Sequence, residues 1–173
     1  MSRPNIILTG FMATGKTTVG KLLAQQLRYE FVDTDNLIVE RAGQTVAEIF
    51  REKGEAAFRK MESELARELG QKEGLVVSTG GRLVLDPANA AALSQRGQIF
   101  CLVATPKEIF DRVSKDKHVK RPLLDSPNPM QRIVELMQQR EEDYGRFLQI
   151  VTFGKTPDEV TRNIIGIFQA DSD

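Results

Sequence analysis

One stretch constrains the fold of this chain more than any other: Gly10-Phe11-Met12-Ala13-Thr14-Gly15-Lys16-Thr17-Thr18. It fits the pattern G-x-x-x-x-G-K-[ST] of a phosphate-binding loop. Asn5-Ile6-Ile7-Leu8-Thr9 precedes it and reads as a buried strand. Behind it, Val19, Leu22, Leu23 and Leu27 recur at helical spacing. Strand, glycine loop and helix form the context that the pattern requires. Glycine lets the backbone turn tightly, so that successive N–H groups converge on phosphate oxygens. The helix N-terminus adds free donors and the positive end of its dipole. The pattern places Lys16 on the β- and γ-phosphates and the Thr17 hydroxyl on Mg²⁺.

The rest of the chain alternates short apolar runs with helical patterns. Strands are expected at residues 30–33, 75–78, 98–103 and 150–152. Helices are expected at 37–42, 45–53, 55–69, 87–97, 129–144 and from 157 to about 168. Thr45 and Glu48 form a capping-box pattern, and Thr105 caps a helix opened by Pro106. Five apolar strands alternating with helices predict an α/β fold with a parallel sheet covered on both faces. Crossovers should be right-handed, and ligands should sit at the carboxyl ends of the strands. Four polar clusters fall at those ends: the loop, Asp33 with Asp35, Ser78 to Arg82, and a basic stretch from Lys115 to Arg121.

The 173 residues suit one domain. Lys plus Arg and Asp plus Glu both number 24. No global positive field therefore points to nucleic acid or a membrane surface. A phosphate site must be built locally. Cys101 is the single cysteine, which rules out a disulfide within the chain and suits a reducing cytoplasm. It is expected to be a small buried apolar residue. No apolar run is long enough to span a membrane, and no signal peptide is expected ahead of the first strand.

Each polar cluster has a functional and an ordinary reading. Beside a Mg·ATP site, Asp33 and Asp35 can divide the work, one holding metal and the other accepting a hydroxyl proton. Otherwise they are a strand-end turn. The third strand ends in Ser78 where a metal-binding Asp is often found, so Asp33 is the metal candidate. Arg59 and Glu62 stand at i and i+3, which by spacing alone is a solvated helix pair. Alternatively, Glu62 holds the Arg59 fork ready for a carboxylate. Thr79-Gly80-Gly81 is either a close approach to ligand or a plain turn. Arg121 or Arg140 is a candidate for closing on the phosphates from a lid, the alternative being a solvated basic loop. His118 reads as a lid residue.

Taken together these residues resemble the shikimate kinase family. The resemblance spans essentially the whole chain. It rests on Gly10 to Thr18, Phe31-Val32-Asp33-Thr34-Asp35, Phe58-Arg59-Lys60-Met61-Glu62, Thr79-Gly80-Gly81, Arg121-Pro122-Leu123-Leu124, and Arg140 with Tyr144. It implies a three-layer P-loop kinase fold with strand order 2-3-1-4-5, a lid near 116–128 and substrate-binding helices near 34–69. It implies transfer of the ATP γ-phosphoryl group to the 3-hydroxyl of shikimate, on the route to chorismate and aromatic amino acids, by a cytoplasmic monomer using Mg²⁺. By position, Lys16, Asp35 and Arg121 are then catalytic. Asp35, Arg59, Gly80, Gly81 and Arg140 bind substrate. Thr17 and Asp33 serve the metal. Ala13, Thr14, Gly15, Lys16, Thr17, Thr18, Arg112, Arg121 and Lys155 bind ATP.

Three residues depart from the family pattern. Ala13 replaces a loop glycine, Arg82 replaces a third glycine after strand three, and Glu142 stands where proline is usual. Arg82 is expected to have negative φ and a side chain turned away from substrate. Two other functions remain: a kinase of another hydroxy-acid such as gluconate, and a non-catalytic nucleotide-binding regulatory domain. The F-R-x-x-E and R-P-L-L motifs speak against the first, and retention of Lys16, Asp33, Asp35 and Arg121 against the second.

Overall fold

A computed structural model describes residues 3–115 and 126–170. Its centre is β1 (Asn5–Gly10), every residue of which is buried. Ile6 and Leu8 face one side and Ile7 the other, as the two-residue strand period requires. A strand apolar on both faces must lie inside a sheet covered twice. It does: β1 pairs in parallel with β3 (Leu75–Ser78) and with β4 (Gly97–Val103). Then β2 (Glu30–Asp33) adds to β3, and β5 (Leu148–Val151) to β4. The order is β2-β3-β1-β4-β5, the order that the resemblance implied.

Two cores result. Ile6, Leu8, Val76, Phe100 and Leu102 pack with residues of α1 (Lys16–Leu27) and α8 (Pro157–Ala170). Ile7, Leu75, Val77, Ile99 and Cys101 pack against the other face. That face is covered by α4 (Glu55–Leu69), α5 (Pro87–Ser94), α6 (Pro106–Lys115) and α7 (Pro129–Gly145). Asn5 is buried at the start of β1, yet its amide is satisfied. It donates to Lys72 O at 2.8 Å and accepts from Leu75 N at 2.9 Å.

Some boundaries differ from expectation. The helix α2 (Thr34–Ala42) begins three residues before residue 37, because the Asp33 carboxylate caps it by accepting from Asn36 N at 3.1 Å. It is followed by α3 (Val46–Lys53), where the capping box of Thr45 and Glu48 is present. The helix expected to reach residue 97 ends at Ser94. Gly97 instead pairs with Asn5 as the first residue of β4. The fifth strand starts at Leu148, before the expected residue 150. Of the expected lid, residues 116–125 lie outside the described residues, including His118, Arg121 and Pro122-Leu123-Leu124. The described part leads into α7, where Asn128 Oδ1 accepts from Gln131 N. No helix among the described residues is long and apolar enough to cross a membrane.

Candidate active site

The parallel sheet brings the carboxyl ends of β1, β2 and β3 together. Asp33 lies level with Ser78, and Ser78 level with Leu8. The loop from Gly10 to Gly15 leaves β1 there and turns into α1. Gly10 has φ 131°, and a side chain on it would strike the Leu102 carbonyl oxygen at 2.4 Å, so only glycine fits. Ala13 also adopts a left-handed conformation, with φ 58°. Sequence pattern alone treats that position as unrestricted. The backbone shows that it favours glycine, and alanine costs about 1–2 kcal/mol there.

The loop is tied to itself. Thr14 Oγ1 donates to Phe11 O at 2.9 Å. Lys16 Nζ donates to Gly10 O and Phe11 O, each at 2.9 Å. The lysine thus rests on carbonyls of the loop whose phosphates it is expected to bind. From outside, Arg112 Nη1 on α6 donates to Ala13 O at 2.9 Å. Arg112 therefore braces the loop, a contact that sequence reasoning did not foresee. Beside it opens a cavity of ≈ 410 Å³, lined by residues including Ala13, Thr14, Gly15, Thr18, Arg112 and Lys155. Six of the nucleotide-binding candidates thus line one cavity, while Lys16 and Thr17 line the neighbouring one.

A second cavity of ≈ 410 Å³ adjoins the loop on its other side. Lys16, Thr17, Asp33, Asp35, Arg59, Gly80, Gly81 and Arg140 all line it. The described catalytic, metal and substrate candidates thus converge, although they come from five elements and one loop. Thr17, Asp33, Asp35 and Ser78 offer hydroxyl and carboxylate oxygens, the donor set of a hard cation. Among the described residues no three acidic, His or Cys side chains cluster as a metal cage. Mg²⁺ needs none, because it takes one or two carboxylates and completes its shell with water and phosphate. The residues present fit it. Asp33 serves the cap of α2 and lines the site at once, so the two readings of it are compatible.

Asp35 sits in the first turn of α2. Gly80 passes so close that a side chain there would meet Asp35 Oδ1 at 2.6 Å. The Gly80 N–H donates to buried Thr34 Oγ1 at 2.9 Å, which pins the glycine loop to α2. Burial raises the pKa of Asp35, and the neighbouring Asp33 raises it further. Lys16 and Arg59 pull it down, and the net direction is upward. A carboxylate placed this way is a stronger base than an exposed one.

Arg59 is held on one side by Glu62 Oε2 at 2.6 Å. Glu62 is 1% exposed, so the pair is not a solvated helix pair. Burial raises the Glu62 pKa, against the lowering effect of Arg59. A second carboxylate was not foreseen: Glu55 Oε1 accepts from Arg59 Nη2 at 3.1 Å and Nε at 3.3 Å. The i, i+4 spacing of Glu55 and Arg59 was the signal for it. The guanidinium lies over Phe58 and Phe50, at 5.4 and 5.8 Å from their centroids. On the opposite wall, Arg140 of α7 stacks on Phe11 at 5.5 Å. One turn on, the Tyr144 hydroxyl donates to Gly81 O. Arg82 has φ −116°, as expected, and its guanidinium turns to Glu55 Oε1 at 3.1 Å, at the rim of the cavity. Glu142 is exposed on α7 and does not line the site. Cys101 is buried, and burial pushes its thiol up to about 11, so it is no thiolate nucleophile.

The family model described as shikimate kinase matches residues 12–168. The shikimate kinase of Geobacter sulfurreducens is 46% identical over 161 residues, covering 92% of this chain and 88% of that protein. That of Thermodesulfovibrio yellowstonii is 44% identical, covering 93% and 92%. Among solved structures, shikimate kinase from Acinetobacter baumannii in complex with shikimate superposes with TM-score 0.87 at 34% identity, covering 98% of this chain and 94% of that one. A gluconokinase from Sinorhizobium meliloti shares the fold, with TM-score 0.61 at 15% identity, covering 96% and 92%.

Proposed function

The chain belongs to the shikimate kinase family, and from that premise we propose that it moves the ATP γ-phosphoryl group onto the 3-hydroxyl of shikimate. It is an ATP-dependent small-molecule kinase. Its product lies on the route to chorismate and aromatic amino acids. One observation carries the substrate reading. A single cavity holds Lys16 of the phosphate loop, the half-buried carboxylate Asp35, and two arginines, Arg59 and Arg140. Shikimate offers a carboxylate at one end and hydroxyls at the other.

Arg59 and Arg140 bind the carboxylate, with Gly80 and Gly81 alongside. Bidentate pairing orients the ring as well as attracting it. This places a hydroxyl by Asp35, which accepts its proton or orients it as it attacks phosphorus. Lys16 leaves the loop carbonyls for the β- and γ-phosphate oxygens, where the backbone N–H groups of residues 13–18 add further donors. Arg121, outside the described residues, is assigned by the resemblance to the same phosphoryl group. Arg112 and Lys155 flank the nucleotide's other end. Thr17 and Asp33 are the residues that would hold Mg²⁺, and by the resemblance Asp33 would do so through water. Mg²⁺ held there would supply positive charge against the phosphate oxygens. Phosphoryl transfer leaves the protein little covalent chemistry, so most of the rate comes from positioning and charge.

The same reading makes the enzyme a cytoplasmic monomer. The single, buried cysteine suits a reducing compartment. Large apolar side chains exposed among the described residues are limited to Leu148 and Phe153, too little for a broad permanent interface. A coupled assay of ADP release against shikimate, quinate, gluconate and nucleoside monophosphates tests the function. Rapid ADP release with shikimate alone is expected. Preferential turnover of gluconate, or none of any acceptor, would overturn it.

A further inference from the structure

Arg82 has no part in the mechanism above, and the family pattern has glycine in its place. Its φ of −116° suits any residue, so the backbone imposes no choice. What the side chain adds is a contact. Arg82 Nη1 donates to Glu55 Oε1, 27 residues away in sequence. That same oxygen accepts from Nε and Nη2 of Arg59. One carboxylate oxygen therefore serves two guanidinia, and one of them is assigned to the substrate.

The Nε–Nη2 edge of a guanidinium is suited to bidentate pairing with a carboxylate. Glu55 occupies that edge of Arg59. An incoming carboxylate competes with Glu55 for the same donors and also repels it. Glu55 then needs another cation, and Arg82 already holds the same oxygen. The Glu55 and Arg82 side chains are 51% and 53% exposed. Such a pair adds little to stability, so its effect should appear in binding.

We infer that Arg82 is a positioning residue for the acceptor: it takes charge of Glu55 when a substrate carboxylate claims Arg59, and so tunes the affinity of the site for carboxylic acids. The inference rests on Arg59 being the carboxylate-binding residue. Two consequences distinguish it from direct contact. Removing Arg82 should matter only while Glu55 carries a charge. It should also change KM and leave kcat alone, since Arg82 is not near the reacting hydroxyl in this scheme.

The test is a mutant cycle with Arg82→Ala, Glu55→Gln and the double variant, at saturating ATP. Arg82→Ala should raise the acceptor KM about three- to fivefold, the scale of an exposed charge pair, with kcat within about twofold. Arg82→Lys should restore most of the loss, because it restores the charge. Glu55→Gln alone should lower KM. In the Glu55→Gln background, Arg82→Ala should leave KM nearly unchanged. An equal rise in both backgrounds would make Arg82 a direct substrate contact and overturn the inference. So would the absence of a rise in either, or a fall in kcat that matches the KM change. Failure of the substrate reading shows separately: wild-type enzyme inert toward every carboxylate acceptor removes the premise before any variant is compared.

Discussion

In the proposed reading, the two halves of the catalytic cleft are held together in opposite ways. The nucleotide half is local. Its tying hydrogen bonds, from Thr14 to Phe11 and from Lys16 to Gly10 and Phe11, span three to six residues. From afar the Arg112 brace reaches it across 99 residues, and Arg140 stacks on Phe11. The acceptor half is assembled from distant segments. Gly80 reaches Thr34 across 46 residues, Tyr144 reaches Gly81 across 63, and Arg82 reaches Glu55 across 27. A loop that folds on itself serves any chain with the same short motif. A pocket clamped by long-range contacts is where a fold can change its acceptor.

If the halves are separable, substitutions should damage one ligand and spare the other. The largest effect is expected on the nucleotide side. Lys16→Ala removes the charge from the β- and γ-phosphates, and kcat should fall by roughly 10³ or more, with weaker ATP binding. Wild-type turnover in this variant would break the assignment of the loop.

Next comes Asp35→Asn. It keeps the shape and removes the anion. The acceptor kcat/KM should fall by about two orders of magnitude or more, the scale of general-base catalysis, while the ATP dissociation constant stays put. Comparable damage to ATP affinity would place Asp35 on the nucleotide or metal instead. The wild-type rate should also fall on the acid side as Asp35 protonates, above the ordinary carboxylate range, because burial raises its pKa. Stability should move the other way. With the folded pKa above the unfolded one, Asp35 favours folding below its unfolded pKa, and that gain is lost as pH rises through the folded pKa. At neutral pH the buried charge is a cost, so Asp35→Asn should raise Tm while it abolishes most activity.

A smaller and sharper probe is Gly80→Ala. Its Cβ would come within 2.6 Å of Asp35 Oδ1, so the carboxylate must shift. Acceptor kcat/KM should drop at least about tenfold, because small displacements of a reacting group are costly. ATP binding measured by titration should stay within about twofold. The smallest effect belongs to Ala13→Gly, which relieves a left-handed alanine. It should add about 0.5–1 kcal/mol of stability, roughly 1–4 °C in Tm for a chain of this size. A lower Tm would show that the loop draws rigidity from Ala13.

The same division explains what was legible beforehand. The strand-loop-helix unit, the parallel sheet and the convergence of Asp33, Asp35, Gly80 and Gly81 follow from local pattern plus the rule that parallel strands present their carboxyl ends together. Arg59 with Glu62 was visible as spacing, but burial decided its meaning, and spacing does not report burial. The left-handed backbone of Ala13 was not legible in the bare motif, which states which residues recur and not which dihedral each must hold. The turn of Arg82 toward Glu55 was beyond reach, since no local periodicity links a glycine loop to the start of a helix 27 residues earlier. Helix ends were missed where capping or strand pairing overrode the apolar period, as at Asp33 and Gly97.

Transfer to shikimate is the claim on which the acceptor half depends, and the reaction product tests it most directly. Enzyme, MgATP and shikimate should yield one organic phosphate whose phosphorus couples, by NMR, to the proton on carbon 3 of the ring. Phosphorus on another hydroxyl, or appearance of the γ-phosphoryl group only as inorganic phosphate, would contradict the account.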